Sequence, residues 1–215
     1  TLRVPLDTLE GSTGFYGSVP KQKTYPSGAG SLEGKYGAFL FQLDPTNDPQ
    51  SLRVRKSVFT IGRSLICLGS GICNASKEYP TVTTLFQTAT PKKGDLSAKG
   101  DNWYIDPFGT GYFLPITQSV IHELGKQESR HSHTKKETTG NFSTAWIEKG
   151  IAPKNASEQY RIHLDAKPEE MNAYKADSIK VLQQSDDANV ITIPSKQVEG
   201  AVTVAEDEST TKSIL

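Results

Sequence analysis

A glutamate among glycines is the first residue of this sequence that could do chemistry. Glu33 lies in residues 28–37, Gly-Ala-Gly-Ser-Leu-Glu-Gly-Lys-Tyr-Gly, which lead into the apolar run Ala-Phe-Leu-Phe-Gln-Leu at 38–43. A short apolar run without proline predicts a buried strand, here over 32–43. Glycines at a strand entrance are typical of a bulge, or of a point where a ligand or another backbone comes close. Glu33 is therefore a candidate functional carboxylate, although a carboxylate in such a place is more often simply exposed to solvent.

The four histidines form only a partial metal-binding pattern. His131 and His133 are separated by one residue and would present two imidazoles on one side of an extended segment. The spacing fixes no third ligand, a structural zinc site needs four, and the surrounding residues 129–140 are polar, which predicts a surface loop. His163 alternates with apolar residues and is expected to face outward, and His122 lies in an alternating stretch typical of a strand. The sequence therefore predicts no metal site.

Motifs of nucleophilic catalysis and phosphate binding are absent from the sequence. It contains no Gly-x-Ser-x-Gly elbow, and Gly-Ser-Gly at 69–71 is not followed by the Lys-Ser/Thr of a phosphate-binding loop. Two cysteines, Cys67 and Cys73, flank that predicted loop. We interpret them as small buried apolar groups at a strand end. A disulfide that closes the loop stays open as the alternative, because the sequence does not define its geometry.

Five aromatic residues are concentrated in one short part of the chain. They are Trp103, Tyr104, Phe108, Tyr112 and Phe113. One interpretation is an aromatic platform on which a sugar ring stacks. We favour the other interpretation, in which the rings fill the core of a sandwich, because aromatic side chains contribute most of the buried area in such cores.

Turn residues divide the chain into about ten short strands. One helix is predicted at 168–175, where proline takes the first helical position and two glutamates follow in the first turn. This pattern predicts an all-β protein, a large antiparallel β-sandwich with one short helix. The predicted organisation is an irregular lead-in at 1–25, a sandwich domain at 26–205 and a polar tail at 206–215.

Charge and composition narrow the function classes. The 24 basic and 24 acidic residues cancel, so no basic field favours nucleic acid as a partner. No apolar run is long enough to span a bilayer, so we expect no membrane partner, and the sequence predicts no signal peptide. The chain of 215 residues begins Thr-Leu-Arg rather than with Met, from which we expect a piece of a longer protein.

Several segments taken together resemble one enzyme family. In chain order they are residues 30–37, 55–57, 66–72, 83–87, 101–112, 140–147 and 153–157. They are similar to the central β-sandwich domain of chondroitin sulfate ABC lyases, in polysaccharide lyase family eight, with hyaluronate and chondroitin AC lyases as more distant relatives. The resemblance covers nearly the whole chain and implies a sandwich of the supersandwich type.

The same resemblance implies an activity and one site residue. It implies the middle domain of a larger enzyme that cleaves chondroitin or dermatan sulfate, with hyaluronan as a further candidate, by β-elimination at a uronate. The family's catalytic histidine, tyrosine and arginine belong to a helical toroid that precedes this domain, and a smaller β-domain follows it. A catalytic glutamate comes from the sandwich, in the motif Leu-Glu-Gly-Lys, and corresponds to Glu33. Substrate-binding residues stay unassigned.

Further expectations follow from this resemblance. The enzyme would be bacterial and periplasmic or secreted, with no cofactor in this domain and with calcium or magnesium as a candidate cation of the full enzyme. The isolated chain would be inactive, because the base, the acid and the charge-neutralising groups lie elsewhere. The alternative from a different class is a non-catalytic β-sandwich that binds carbohydrate or supports the helical part. The sequence upstream of this chain would distinguish the two.

Overall fold

The structure is a computed structural model that describes residues 27–43, 52–90, 98–115, 118–131, 134–173, 179–194, 198–203 and 212–214. Within these ranges the chain forms fifteen strands and one helix. In chain order they are β1 (Gly28–Leu32), β2 (Tyr36–Leu43), β3 (Arg53–Ile61), β4 (Ser64–Cys73), β5 (Pro80–Ala89), β6 (Ala98–Lys99), β7 (Trp103–Ile105), β8 (Gly111–Phe113), β9 (Val120–Arg130), β10 (Glu137–Ile151), β11 (Ala156–His163), α1 (Pro168–Ala173), β12 (Lys180–Gln184), β13 (Ala188–Ile193), β14 (Val198–Thr203) and β15 (Lys212–Ile214).

The strands form three antiparallel sheets. The central sheet has eight strands in the order β1-β2-β3-β4-β11-β8-β7-β6, and the other two have the orders β5-β10-β9 and β12-β13-β14-β15. This architecture confirms the predicted fold class, and α1 confirms the predicted helix. The final strand, β15, lies within the stretch that the sequence suggested as a polar tail. In the described part of the chain, no helix is long and apolar enough to cross a membrane.

Opposite residues of neighbouring antiparallel strands point to the same face of the central sheet, so its register defines two apolar faces. On one face, residues of β2, β3 and β4 pack against isoleucines of the four-stranded sheet. This cluster contains Ala38, Leu40, Phe59, Ile66, Leu68, Ile179, Ile191 and Ile193. At the end of the same face nearest β7 and β8, Met171 of α1 packs against Trp103, Ile105 and Phe113.

The other face of the central sheet packs against the three-stranded sheet. Here Tyr112 and Leu114 meet Leu85 and Phe86 of β5 and two residues of β10. The central sheet is therefore a middle layer that is covered on both sides. Phe39 and Phe41 lie on this second face but are 45% and 39% exposed, so the cover does not extend fully over β2.

Two predictions about the bounds of strands differ from the structure. The predicted single strand over 32–43 is wrong, because β1 and β2 form a hairpin with residues 33–35 as its turn. Gly-Ala-Gly-Ser carries no apolar alternation, so β1 is recognisable only from its pairing with β2. The predicted loop at 69–71 is also wrong, because β4 continues to Cys73 with register shifts against both neighbours. Gly71 has φ +59°, the conformation that a bulge glycine supplies.

A buried carboxylate joins the central sheet to the three-stranded sheet. Glu158 of β11 is 2% exposed, and its oxygens lie 2.9 Å from the ammonium of Lys56 and 2.9 Å from that of Lys149. The Thr83 hydroxyl also donates a hydrogen bond to it. Lys56 reaches Glu158 across Gly69, where an added Cβ would lie only 2.6 Å from Glu158 Cγ. Gly69 is thus required for the space that it leaves to the Glu158 side chain.

The charges of this cluster oppose the cost of its burial. Burial by itself would raise the pKa of Glu158, but the positive charges of Lys56 and Lys149 and the Thr83 hydrogen bond outweigh it and leave the pKa below the ordinary value. For Lys149 burial prevails, and its pKa is lowered although Glu158 favours the charged form. The cluster therefore stabilises the fold only while Glu158 is ionised.

Replacing Glu158 by Gln should destabilise the domain by about 3 kcal/mol or more near neutral pH, because Lys149 would be left buried without a counter-ion. The pKa of Glu158 is depressed in the folded state, so its contribution is present above its ordinary pKa of 4.5 and is lost as the pH falls through the folded-state value. The difference in unfolding free energy between wild type and Glu158→Gln, measured by urea unfolding, should therefore narrow between about pH 7 and about pH 3.

The matched control for this measurement is Glu78→Gln, which removes an exposed carboxylate. Its effect should stay within about 0.5 kcal/mol at both pH values. A Glu158→Gln difference that is the same at both pH values would contradict the assigned role.

Candidate functional site

Four connections lie side by side at one end of the central sheet. One row of paired residues runs across seven strands of this sheet. Its pairs are Leu32↔Tyr36, Tyr36↔Ile61, Ile61↔Ser64, Ser64↔His163, His163↔Gly111 and Gly111↔Ile105. Immediately beyond this row come the turn 33–35, the turn 62–63, residues 164–166 and the loop 106–110. We call this edge of the sheet the Glu33 end.

Glu33 occupies a conformation that L-residues seldom adopt. Its φ is +52° and that of Gly34 is +65°, and the Lys35 N–H donates to the Leu32 carbonyl at 3.0 Å. Positive φ at both central residues characterises a type I′ turn, for which Asn-Gly is the usual sequence. A glutamate at the first of these positions costs about 1 kcal/mol relative to a residue that tolerates the conformation. The turn is therefore not optimised for folding alone.

The Glu33 side chain has no strong partner among the described residues. Its carboxylate lies 3.5 Å from the ammonium of Lys35, and the two side chains are 67% and 71% exposed. An exposed ion pair of this kind contributes little to stability. The carboxylate is thus accessible to a group from outside this domain, and the turn hydrogen bond and the pairing of β1 with β2 position its Cα.

A polar network fixes the middle of the Glu33 end. The guanidinium of Arg63 donates to the Asp165 carbonyl at 3.1 Å and to the Glu170 carboxylate at 3.0 Å. That hydrogen bond lowers the pKa of Glu170. His163 was expected to face outward, but its ring is half-buried, with Nδ1 2.9 Å from the Ser64 hydroxyl and Nε2 3.7 Å from Glu170. These contacts tie the turn 62–63 to α1.

The loop 106–110 is held by one buried carboxylate. Asp106 is 4% exposed and accepts hydrogen bonds from the backbone N–H groups of Phe108, at 2.8 Å, and Thr110, at 2.9 Å. The Gly109 carbonyl accepts a hydrogen bond from the Ala166 N–H at 2.8 Å, which joins the loop to its neighbour at the Glu33 end. The loop presents Phe108, whose side chain is 81% exposed.

The aromatic residues singled out in the sequence separate into two groups. Trp103, Tyr112 and Phe113 are buried and Tyr104 is half-buried, so for these four the core-filling interpretation is correct. Phe108 is the exception. Sequence alone could not separate it from the other four, because its exposure depends on hydrogen bonds to Asp106.

The remaining sequence candidates are dispersed. His131 lies at the tip of the β9–β10 hairpin, and His133 lies outside the described residues. His122 is half-buried, 3.0 Å from the Ser143 hydroxyl, and burial followed by the charge of Lys99 lowers its pKa. Across the described ranges, no three His, Cys, Asp or Glu side chains converge as metal ligands would.

The two cysteines are free thiols. Cys67 is buried and Cys73 is half-buried, where it accepts a hydrogen bond from the Asn155 N–H at 3.2 Å. Burial raises the pKa of Cys67 to about 11, so its thiol is protonated and unreactive near neutral pH.

Comparison with known proteins identifies one family. The sequence model of polysaccharide lyase family 8, super-sandwich domain, matches residues 7–175. A chondroitin sulfate ABC exolyase of Bacteroides thetaiotaomicron is 31% identical over 218 residues, covering 94% of this chain and 21% of that protein. A chondroitin sulfate ABC endolyase of Proteus vulgaris is 37% identical over 165 residues, covering 67% of this chain and 16% of that protein.

A solved structure agrees with this result. A chondroitinase AC lyase, studied by enzyme–oligosaccharide complexes and mutagenesis, superposes with a TM-score of 0.67 at 26% identity, covering 82% of this chain and 28% of that one. The chain thus spans about a fifth of the length of the first relative, 21%. It belongs to polysaccharide lyase family 8, and what it contains is the super-sandwich domain of that family.

Proposed function

We propose that this chain is the middle domain of a lyase that cleaves chondroitin and dermatan sulfate by β-elimination, and that Glu33 is its contribution to the catalytic cleft. The names of the relatives, chondroitin sulfate ABC lyases and a chondroitinase AC, support the substrate class. The single observation that carries the role of Glu33 is its position: an exposed carboxylate on a hydrogen-bonded turn, in a conformation that costs stability.

The chemistry explains what a carboxylate could do there. In β-elimination a base removes the proton on C5 of the uronate, the electron pair forms the C4=C5 double bond, and the C4–O bond breaks as an acid protonates the leaving oxygen. Negative charge spreads into the uronate carboxylate in the transition state, so a cation must neutralise it. The base, the acid and this cation belong, in our proposal, to the rest of the longer protein.

Glu33 would act as a positioning residue for one of those groups. A carboxylate accepts hydrogen bonds from the paired N–H groups of an arginine in a fixed geometry. It also raises the pKa of a neighbouring arginine, tyrosine or histidine and so favours the protonated form. Lys35, its partner in this structure, is exposed and can be displaced at small cost. Because Glu33 and the group that it would position lie on different domains, the completed site would depend on how the domains close.

The proposal also names partners and a location. The partners are a sulfated glycosaminoglycan, with hyaluronan as a further candidate, and the helical and C-terminal β parts of the same protein. The enzyme would work in the periplasm or outside the cell, where such polymers are found. Calcium or magnesium would act in the full enzyme, outside this domain.

The isolated chain should not cleave chondroitin sulfate, since it lacks the proposed base and acid. The measurement is the ultraviolet absorbance of the unsaturated uronate product, with purified chain whose β-rich circular dichroism spectrum shows that it is folded. Product formed by the folded chain would place the reacting groups within this domain and contradict the proposal.

In the full-length protein, Glu33→Gln should lower kcat by about a hundredfold or more, because it keeps the shape of the side chain but removes the charge that positions a reacting group. KM should change little, and the melting temperature should not fall. Steady-state kinetics and a thermal melt measure these quantities. Wild-type kcat at an unchanged melting temperature would mean that Glu33 has no role in the reaction.

Glu33→Asn should separate stability from activity. Asparagine tolerates positive φ, so the free energy of unfolding of the variant should rise by up to about 1 kcal/mol, while kcat falls as in Glu33→Gln. The matched control is Lys135→Asn, which makes the same kind of change at another exposed turn residue with positive φ, 56°. That control should keep wild-type kcat. If Glu33→Asn is both active and more stable, the strain at this turn has no functional explanation.

A further inference from the structure

Phe108 is the most exposed of the large apolar side chains in the described part of the chain, at 81%. An exposed phenylalanine forfeits the burial that favours its presence in a folded protein, and here four neighbouring aromatic residues obtain that burial while Phe108 does not. Its exposure is a property of the loop, since Asp106 fixes the backbone on both sides of it.

The loop is preorganised. Asp106 also accepts the Tyr112 hydroxyl at 3.4 Å, and the Gly109 N–H donates to the Asp106 carbonyl at 3.0 Å. A ligand that contacts Phe108 therefore does not have to order the loop, and this lowers the entropic cost of binding. Gly109 has φ +82°, so the turn that presents the ring requires a glycine there.

Phe108 and Glu33 lie along the same edge. The turn 33–35 joins β1 to β2 and the loop 106–110 joins β7 to β8, so the strand order places five strand spacings between them. At about 4.8 Å per spacing, the two are about 24 Å apart along the Glu33 end. Arg63 and residues 164–166 lie between them, held by hydrogen bonds to each other and to the Phe108 loop.

The surroundings of Phe108 favour a sugar over an apolar protein surface. Its loop neighbour Thr110 carries a hydroxyl, and the adjacent turn presents Asp165, whose side chain is 87% exposed, next to Leu164, which is 49% exposed. A single aromatic face set among polar groups matches the chemistry of a pyranose, which has an apolar C–H face and a rim of hydroxyls. An anchor for a protein partner would be expected within a larger apolar patch.

We propose that Phe108 forms a distal subsite of the cleft in which its ring stacks on a sugar unit several residues away from the one that is cleaved beside Glu33. This rests on the proposed function. The subsite would contact only substrates long enough to extend along the Glu33 end, so it would favour polymeric over short substrates without taking part in the elimination itself.

The test uses the full-length protein with Phe108→Ala and Phe108→Trp, assayed on polymeric chondroitin sulfate and on a tetrasaccharide. Phe108→Ala should raise KM for the polymer about fivefold to tenfold and leave KM for the tetrasaccharide and both kcat values unchanged. Phe108→Trp should restore KM for the polymer. The matched control is Phe41→Ala, which removes a phenylalanine that is 39% exposed, lies five residues along β2 from Tyr36 and should change neither KM.

Two results would overturn the proposal. One is an unchanged KM of Phe108→Ala for the polymer; if the melting temperature also falls, Phe108 packs against another part of the protein. The other is an equal rise of KM for both substrates, which would place Phe108 beside the cleaved unit.

A binding measurement separates this proposal from the proposed function. Fluorescence anisotropy of labelled chondroitin sulfate chains is recorded on Glu33→Gln with and without Phe108→Ala, so that turnover does not consume the probe. If the wild-type full-length protein has no lyase activity but Glu33→Gln still loses long-chain affinity on adding Phe108→Ala, the proposed function is refuted and the subsite is supported. If the wild-type protein is an active lyase but Phe108→Ala leaves the long-chain affinity of Glu33→Gln unchanged, the proposed function is supported and the subsite is refuted.

Discussion

The fold depends on one position in the central sheet, where the register between β4 and β11 shifts and Glu158 is buried. Next to the shift, the side-chain amide of Gln184 of β12 donates hydrogen bonds to the carbonyl groups of Gly69 and Glu158, each at 2.8 Å. On the opposite face the Glu158 side chain meets Lys149 and Thr83 of the three-stranded sheet. All three sheets therefore make polar contacts at this position, and because an unpaired buried charge is so costly, the contacts permit only one alignment of the layers.

A fixed alignment has a consequence at the far end of the strands. A slip of one residue would exchange the two faces of a strand, and both faces of the central sheet are packed against a partner, so slipped registers are strongly disfavoured. The turns that follow the strands are then fixed with the same accuracy. This is how four connections that are distant in sequence come to form one continuous edge, the Glu33 end.

The sequence contained enough information for the fold class but not for these details. Alternating apolar residues and turn clusters mark the strands locally, and Pro-Glu-Glu marks the start of α1, so both could be predicted. The sequence predicts a loop at Gly69 because glycine usually interrupts strands, whereas the structure needs a glycine there to make space for the Glu158 side chain, 89 residues further along the chain. Likewise, Phe108 could not be told from its buried neighbours, because the hydrogen bonds of Asp106 decide its exposure. The space needed at Gly69 and the exposure of Phe108 depend on non-local contacts, which are known only once the strands are paired.

Glu33 could be singled out from the sequence, but the physical argument for it comes from the backbone. A surface carboxylate is common, and a type I′ turn is common, but the turn prefers asparagine at the position that Glu33 occupies. Strain at one residue persists only if the rest of the structure supplies the stability to hold it, and the layered packing beneath this hairpin does so. A domain that fixes an exposed charged group at its edge, with only the exposed Lys35 as its ion-pair partner among the described residues, is suited to complete a site whose other half lies elsewhere. This separation of Glu33 from the proposed reacting groups is consistent with the fold. The end of a packed sheet holds a side chain in a defined position, whereas the reacting groups need a surface that can close around a polymer.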